Sequence, residues 1–358
     1  MHKKIIITAP SLDPKDNVSG ISAVARFIIA NNPSCEYIHF MIGKKDNERG
    51  GLLQRCVRVW NMYRKWKRFL KENPNAIIHY NFPLDVKSVI RDFFFIRYAL
   101  HNRRQMVIHI HGGLYLTKKS RPWIINKMMR TIFSCDAPFI VLSELEKKAI
   151  QTEFKTKHVE VLPNCVDLND AAAFERTVKG KGEILTMGYL GRIEENKGID
   201  WLLSACCELR RENIMFKLIL AGKEEVPGAY LNTFSDYIGD RFHYAGVVSG
   251  EDKCAFLRSL DVFVLPSYFE GLPMSLLECM SYGAVPLTTA VGSIPEVVKD
   301  GENGIIIKVR DTRTIVDGFK RLNDNRQMLK QLSENAKKSI FTNFSPEKYI
   351  KKLNMLYE

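Results

Sequence analysis

The sequence lacks most of the short motifs that announce a chemistry. G-x-G-x-x-G, G-x-x-x-x-G-K-[ST], H-E-x-x-H and G-x-S-x-G are all missing from its 358 residues. That argues against dinucleotide redox chemistry, a P-loop NTPase, a zinc protease and a serine hydrolase. No D-x-D pair occurs, so nothing advertises a divalent-metal clamp for a diphosphate. The eight cysteines show no C-x-x-C spacing, and most sit in apolar segments. There a free thiol behaves as a small hydrophobe, and a reduced, cytoplasmic compartment is expected. No stretch approaches the roughly 20 apolar residues that span a bilayer. The run Ile5–Ala9 behind Met1-His2-Lys3-Lys4 is too short for a signal-peptide core, and no small-residue cleavage site follows it.

What is present is ordinary globular material. The chain is 46% hydrophobic and 26% charged, with 22 glycines and 14 prolines, and its length suggests two domains. Its net charge of +13 invites a nucleic-acid or membrane reading. The excess is uneven, however. Residues 1–165 hold 28 basic and 13 acidic side chains, and the remainder holds 25 and 27. A nucleic-acid reading finds no helix-turn-helix, no aromatic RNP-like strands and no zinc spacing to support it, so no nucleic-acid partner is expected.

Short β-branched runs alternate with amphipathic stretches almost throughout, which predicts parallel sheets with helices on both faces. In the first half strands are expected near Lys4–Thr8, Tyr37–Met41, Ala76–Tyr80, Met106–Ile110, Pro138–Leu142 and Val159–Leu162, with helices between them. Ser143-Glu144-Leu145-Glu146 opens one of those helices as a capping box. The periodicity lapses over 166–182, which places an interdomain linker there, and restarts with Ile184–Leu190. The architecture expected is two doubly wound α/β domains. They would comprise residues 1–165 and 183–340, with a final helical segment in 341–358. Such folds bind ligands at the carboxyl ends of their strands.

Two loops then stand out. Gly191-Arg192-Ile193-Glu194-Glu195-Asn196-Lys197-Gly198 follows a strand and precedes a helix. A guanidinium fork plus an ammonium is what a leaving diphosphate requires when no cation is present; the bland alternative is a solvated turn with two exposed charges. The second loop is Pro266-Ser267-Tyr268-Phe269-Glu270-Gly271-Leu272-Pro273-Met274-Ser275-Leu276-Leu277-Glu278. It feeds a helix whose free amides and dipole attract anions. Ser275-Leu276-Leu277-Glu278 reads as a capping box, which would place Glu278 in the first turn as a backbone acceptor. Glu270 has no evident local role.

From Pro266 through Gly283-Ala284-Val285-Pro286, Gly292-Ser293-Ile294-Pro295-Glu296 and Asp300-Gly301-Glu302-Asn303-Gly304, the run closely resembles the family 4 retaining glycosyltransferases. The Gly191–Gly198 turn fits the same family. The resemblance implies a GT-B fold, two Rossmann-like domains facing a cleft, with the last helix crossing back to the N-terminal domain. It makes 1–165 the acceptor domain and 183–340 the nucleotide-sugar domain. It also implies metal-independent transfer from a nucleotide sugar, with UDP the expected nucleotide and no cofactor. Arg192 and Lys197 would hold the diphosphate. Glu270 would contact the donor sugar and Glu278 the ribose, and backbone around Gly271, Leu272, Met274 and Ser275 would face sugar and phosphate. Gly20, in Ser19-Gly20-Ile21, matches the family's glycine-rich loop. His111, in His109-Ile110-His111-Gly112-Gly113, matches the histidine that hydrogen-bonds the donor sugar, and His109 is expected to alternate to the opposite face. In Pro163-Asn164-Cys165-Val166-Asp167 a cysteine replaces the family's glycine, and Ser293 stands where a second glycine is common. Another GT-B enzyme, such as a sugar-nucleotide epimerase, is the alternative.

Residues 52–71 form the most basic segment. Leu53, Val57, Trp60, Tyr63, Trp66 and Phe69 recur at steps of three or four, while Arg55, Arg58, Arg64, Lys65, Lys67, Arg68 and Lys71 fill much of the rest. A packing helix explains part of this. An interfacial helix on anionic headgroups explains the rest, and Arg97, Arg103, Arg104, Lys118, Lys119 and Arg121 add to the basic surface. A saccharide or lipid-linked acceptor, met at the inner face of the plasma membrane, would suit this basic half.

Overall fold

A computed structural model describes residues 2–17, 19–43, 51–113 and 121–358, which leaves Lys118 and Lys119 outside the described residues. The chain divides into two compact units. One comprises Met1–Asn164 together with Glu347–Glu358, and the other Cys165–Pro346.

The first unit is built on strands β1 (Lys3–Ala9), β2 (Cys35–Met41), β3 (Ile77–Phe82), β4 (Met106–Ile110), β5 (Phe139–Val141) and β6 (Val159–Val161). They pair in parallel in the order β2-β1-β3-β4-β5-β6. The inner strands are buried on both faces, which is why they read as largely apolar runs, interrupted by the buried polar residues His79, Asn81 and His109. The helix Glu144–Phe154 begins as its sequence announces, with the Ser143 hydroxyl accepting from the Glu146 N–H. Glu146 in turn accepts from the Leu142 N–H at 2.8 Å.

Helix Leu52–Glu72 does not bury its apolar side evenly. Trp66 and Leu70 are fully buried, and Trp66 donates its indole N–H to the Phe95 carbonyl at 3.2 Å. Trp66 therefore cannot serve as a surface anchor. Its ring is packed among Phe40, Tyr80 and Phe95 in the core, where burial of an aromatic of this size stabilises most. Leu53, Val57 and Trp60, six to thirteen residues before Trp66 and turned away from its face, are 79%, 51% and 59% exposed.

The terminal helix Pro346–Leu356 packs in this first unit. Its Tyr349 meets Phe27 edge-on, Asn354 accepts from Asn32 at 2.7 Å, and Lys352 donates to the Val161 carbonyl at 2.9 Å. Just beyond it, the Tyr357 hydroxyl lies 2.7 Å from Nδ1 of His79.

The second unit has strands β7 (Leu185–Leu190), β8 (Phe216–Ala221), β9 (Phe242–Gly246), β10 (Val262–Leu265), β11 (Val285–Thr289) and β12 (Ile305–Ile307). Read from the β9 edge, the order is β9-β8-β7-β10-β11-β12, again parallel. Residues 166–182 are tied to this unit rather than strung as a tether. They include a short helix, Asn169–Ala173, whose Asp170 accepts from Arg258 and Tyr282. Arg176 donates to the Tyr282 carbonyl at 2.8 Å, and Lys179 donates to Asp261 at 2.7 Å. Cys165 adopts a negative φ, so a glycine is not required there; its thiol donates to the Phe344 carbonyl, and burial pushes its pKa up to about 12.

Candidate functional site

In the second unit β7 and β10 are neighbours. The chain leaves β7 toward β8 on one side and β10 toward β11 on the other, so their carboxyl ends open a crevice at the point where strand order reverses. The loop after β7 is held to the one after β8: Ile193 and the residues Lys223 and Glu225 exchange backbone bonds of 2.9 and 3.1 Å. A single 3₁₀ turn, Glu195–Lys197, then ends at Gly198 with φ +72°. Any Cβ at Gly198 would lie 2.1 Å from the Pro266 carbonyl oxygen, so only glycine lets the two loops approach. The Tyr268 N–H donates to the Asn196 carbonyl at 3.0 Å, which joins the loops a second time.

That joining brings two candidate residues together. Lys197 Nζ lies 2.8 Å from Glu270 Oε1, with side chains 23% and 10% exposed. Arg192, on the same turn, is 28% exposed and sits 3.7 Å from Glu225. Behind Glu270 the loop is anchored on β11 and its continuation. Thr289 donates to the Ser267 carbonyl at 2.7 Å, and Ser293 N–H to the Gly271 carbonyl at 3.0 Å. Ser293 has φ −90°, a value open to any residue, so the family's second glycine is not needed for backbone shape.

Helix Met274–Ser281 starts differently from its expected capping box. Pro273 is the residue before the first turn, no side chain caps the helix, and Met274 is the first helical residue. Ser275 is already inside the helix and Glu278 is its fifth residue, too far along to reach an orphan N–H. The Glu278 carboxylate instead takes Lys253 Nζ at 2.8 Å, from helix Gly250–Ser259. Leu272 and Met274 are buried side chains, so what they offer a ligand is backbone, while Gly271 and Ser275 are half-buried. Two lysine–carboxylate pairs and one arginine thus border the crevice. Such an array can bind an anion and accept hydrogen bonds from vicinal hydroxyls.

The first unit places one candidate at a helix start and the other at a strand end. Ser19 caps helix Gly20–Asn31 by accepting from Ser22 N–H, and Gly20 is the exposed first helical residue. Nothing lies within 4 Å of a Cβ built there, so its backbone is open to approach. His111 follows the last residue of β4, with Nε2 2.5 Å from Asn81 Oδ1. His109 does not turn to the opposite face. Residues two apart on a strand share a face, and the His109 and His111 rings lie 4.1 Å apart between centroids. His79 extends the row, with Nε2 3.2 Å from His109 Nδ1.

Burial holds these histidines neutral. Desolvation lowers His79 to about 4 and, helped by the His79 charge, lowers His111 to about 3; His109 is also lowered by burial and by its two neighbours. Unfolded histidines titrate near 6.5, so below that pH the unfolded chain binds more protons than the folded one. The stability these groups contribute is complete above pH ~6.5 and is lost as pH falls toward 4 and then 3. The melting temperature should accordingly fall on acidification below pH ~6.5, and His79→Gln should flatten that slope. A slope unchanged by the substitution would contradict this origin.

Of the basic helix, Arg55, Trp60, Arg64, Lys65 and Arg68 are exposed, whereas Arg58 and Lys67 are half-buried. Lys67 Nζ sits 5.1 Å from the Tyr63 ring centroid. An apolar cavity of about 660 Å³ opens beside the helix, lined by Phe40, Met41, Leu53, Val57, Arg58 and Lys65 among others.

Comparison with known proteins bears on this arrangement. Residues 172–339, which include Arg192, Lys197, Glu270 and Glu278, match the model of the glycosyl transferases group 1 family. Residues 172–339 are thus those of a group 1 glycosyltransferase domain. It is 25% identical over 279 residues to an uncharacterised glycosyltransferase of Methanocaldococcus jannaschii, covering 74% of this chain and 71% of that one. It is 21% identical over 272 residues to the capsular polysaccharide biosynthesis glycosyltransferase CapM of Staphylococcus aureus, covering 72% of each. In fold it is similar to Anabaena HepE, solved in complex with UDP-glucose, with TM-score 0.73, 15% identity and 99% of each chain covered. The two Rossmann-like domains thus have the GT-B fold. Two partners of the site residues, Glu225 and Lys253, carried no local sequence signal. For Asn81 a weak one existed, because His79 and Asn81 repeat on β3 the two-residue step of His109 and His111.

Proposed function

We propose that this glycosyltransferase moves a hexose or N-acetylhexosamine from a nucleotide sugar to a saccharide or lipid-linked saccharide acceptor. UDP is the nucleotide, the anomeric configuration is retained, and the product is part of a cell-surface polysaccharide. The observation that carries the reading is the Lys197–Glu270 pair across the ends of β7 and β10, with Arg192 on the same turn. The acceptor oxygen bonds to the anomeric carbon as the bond from that carbon to the diphosphate breaks. The diphosphate takes the acceptor's proton from the same face. Arg192 and Lys197 supply the positive charge that the departing diphosphate needs, in place of a metal ion. Glu270 orients the sugar, Glu278 takes ribose hydroxyls, and His111 contacts the sugar. CapM and HepE support a polysaccharide product and a UDP donor respectively.

The test is transfer from a panel of nucleotide sugars to saccharide and lipid-linked acceptors, in the presence of a chelator, preceded by thermal-shift selection of the donor. Product with a retained anomeric centre is the expected result. Donor epimerised without transfer to any acceptor would overturn the reading.

The same reading places the protein on the inner face of the plasma membrane. The exposed Leu53, Val57 and Trp60 lie among Arg55, Arg64, Lys65 and Arg68, the pattern of a helix that rests on anionic headgroups. No helix among the described residues is long and apolar enough to cross a membrane, so contact would be peripheral. The protein should co-float with anionic but not neutral vesicles, and Trp60→Ser with Arg64→Ser should abolish this. Indifference to both vesicle types would refute the contact.

A further inference from the structure

We propose that Asn81 is a positioning residue that locks His111 as its Nε2–H tautomer, so that the ligand group meeting Nδ1 has to donate a hydrogen bond. The argument starts at a backbone carbonyl. Thr8 O can only accept, and Asn81 Nδ2 lies 2.7 Å from it. The amide nitrogen of Asn81 therefore faces Thr8, and its oxygen faces His111. The Asn81 backbone is pinned at the same place, because its N–H donates to Thr8 Oγ1 at 3.0 Å. Oδ1 of an asparagine only accepts, so His111 Nε2, 2.5 Å away, is the donor.

A neutral imidazole carries one proton, and that proton is now assigned. Nδ1 is left with a lone pair. The doubly protonated ring is opposed by what surrounds it: the His109 ring from β4 lies 4.1 Å from that of His111 between centroids, and His79 from β3 follows, itself held by Tyr357 beyond the terminal helix. A second cation in this buried row would be costly.

The consequence is a rule of specificity. A hydroxyl or amide N–H satisfies the Nδ1 lone pair, whereas an ionised carboxylate or a phosphate oxygen brings a second acceptor against it. His111 thus favours a neutral sugar at this position over a uronate. That consequence rests on the nucleotide-sugar reading above, but the tautomer does not.

The experiment uses the full chain labelled with ¹⁵N-histidine. At neutral pH the parent is expected to show His111 protonated at Nε2 and bare at Nδ1. Asn81→Asp places a carboxylate against Nε2 and should raise the His111 titration midpoint by about 1–3 pH units. Asn81→Leu should leave both tautomers populated and lower kcat/KM for a nucleotide hexose about tenfold, the scale of one lost hydrogen bond. The proposal is overturned by a parent His111 carrying its proton on Nδ1. It is equally overturned if both variants leave the tautomer and midpoint unmoved. Should no nucleotide sugar react while the spectra come out as expected, the functional reading fails and the tautomer stands.

Discussion

Arg192→Ala is expected to lower kcat/KM for glycosyl transfer by about 10²–10³-fold, the cost of removing one preorganised group from developing negative charge. The fold should be unaffected. Its partner Glu225 is 3.7 Å away and half exposed, so the ion pair itself contributes little to stability. Lys197→Ala should cost a similar factor but with a structural side effect. Glu270 is only 10% exposed, and removing the ammonium leaves its carboxylate without that partner. The double variant Lys197→Ala/Glu270→Gln separates the two consequences: it should recover the melting temperature lost in Lys197→Ala and recover none of the transfer rate. Near-normal turnover in either single variant would remove the diphosphate-binding role from this turn.

That experiment probes a pair no local pattern could reveal. Arg192 and Lys197 are visible in the sequence because a strand, a glycine-bounded turn and a helix follow in order. Glu270 is conspicuous only for having no local role. Their meeting depends on β7 and β10 being adjacent, which the strand order decides and the linear sequence does not state. The strands themselves were legible because parallel strands buried on both faces are largely apolar runs. The short helices Asn169–Ala173 and Ile294–Val297 were not, since four or five residues are too few to show a helical period. The segment 166–182 looked like a linker because its local pattern lapses, yet Asp170, Arg176 and Lys179 dock it through bonds to residues about 80 or more positions away. Trp66 illustrates the same limit. Its spacing matched Trp60, but contacts with Phe40, Tyr80 and Phe95 bury only the one. The Ser275–Glu278 capping pattern lost to Pro273, which takes the cap position two residues earlier.

The largest expected effect on stability comes from the glycine that joins the two site loops. Gly198→Ala should destabilise the protein by about 2–4 kcal/mol, from two sources that add. The residue sits at φ +72°, where an L side chain is strained. Its new Cβ would also stand 2.1 Å from the Pro266 oxygen and 2.8 Å from the Pro266 carbonyl carbon. Backbone cannot rotate out of the way as a side chain can, so the 266–270 loop has to move. Glu270 then leaves Lys197, and transfer activity should fall further than the stability loss alone explains. Gly20→Ala is the control: its Cβ meets nothing within 4 Å, and a stability change below about 0.5 kcal/mol is expected. Urea unfolding of the two variants beside the parent decides the matter. A Gly198→Ala midpoint equal to that of Gly20→Ala would mean that Pro266 yields freely and that the close approach of the loops does not hold Lys197 against Glu270.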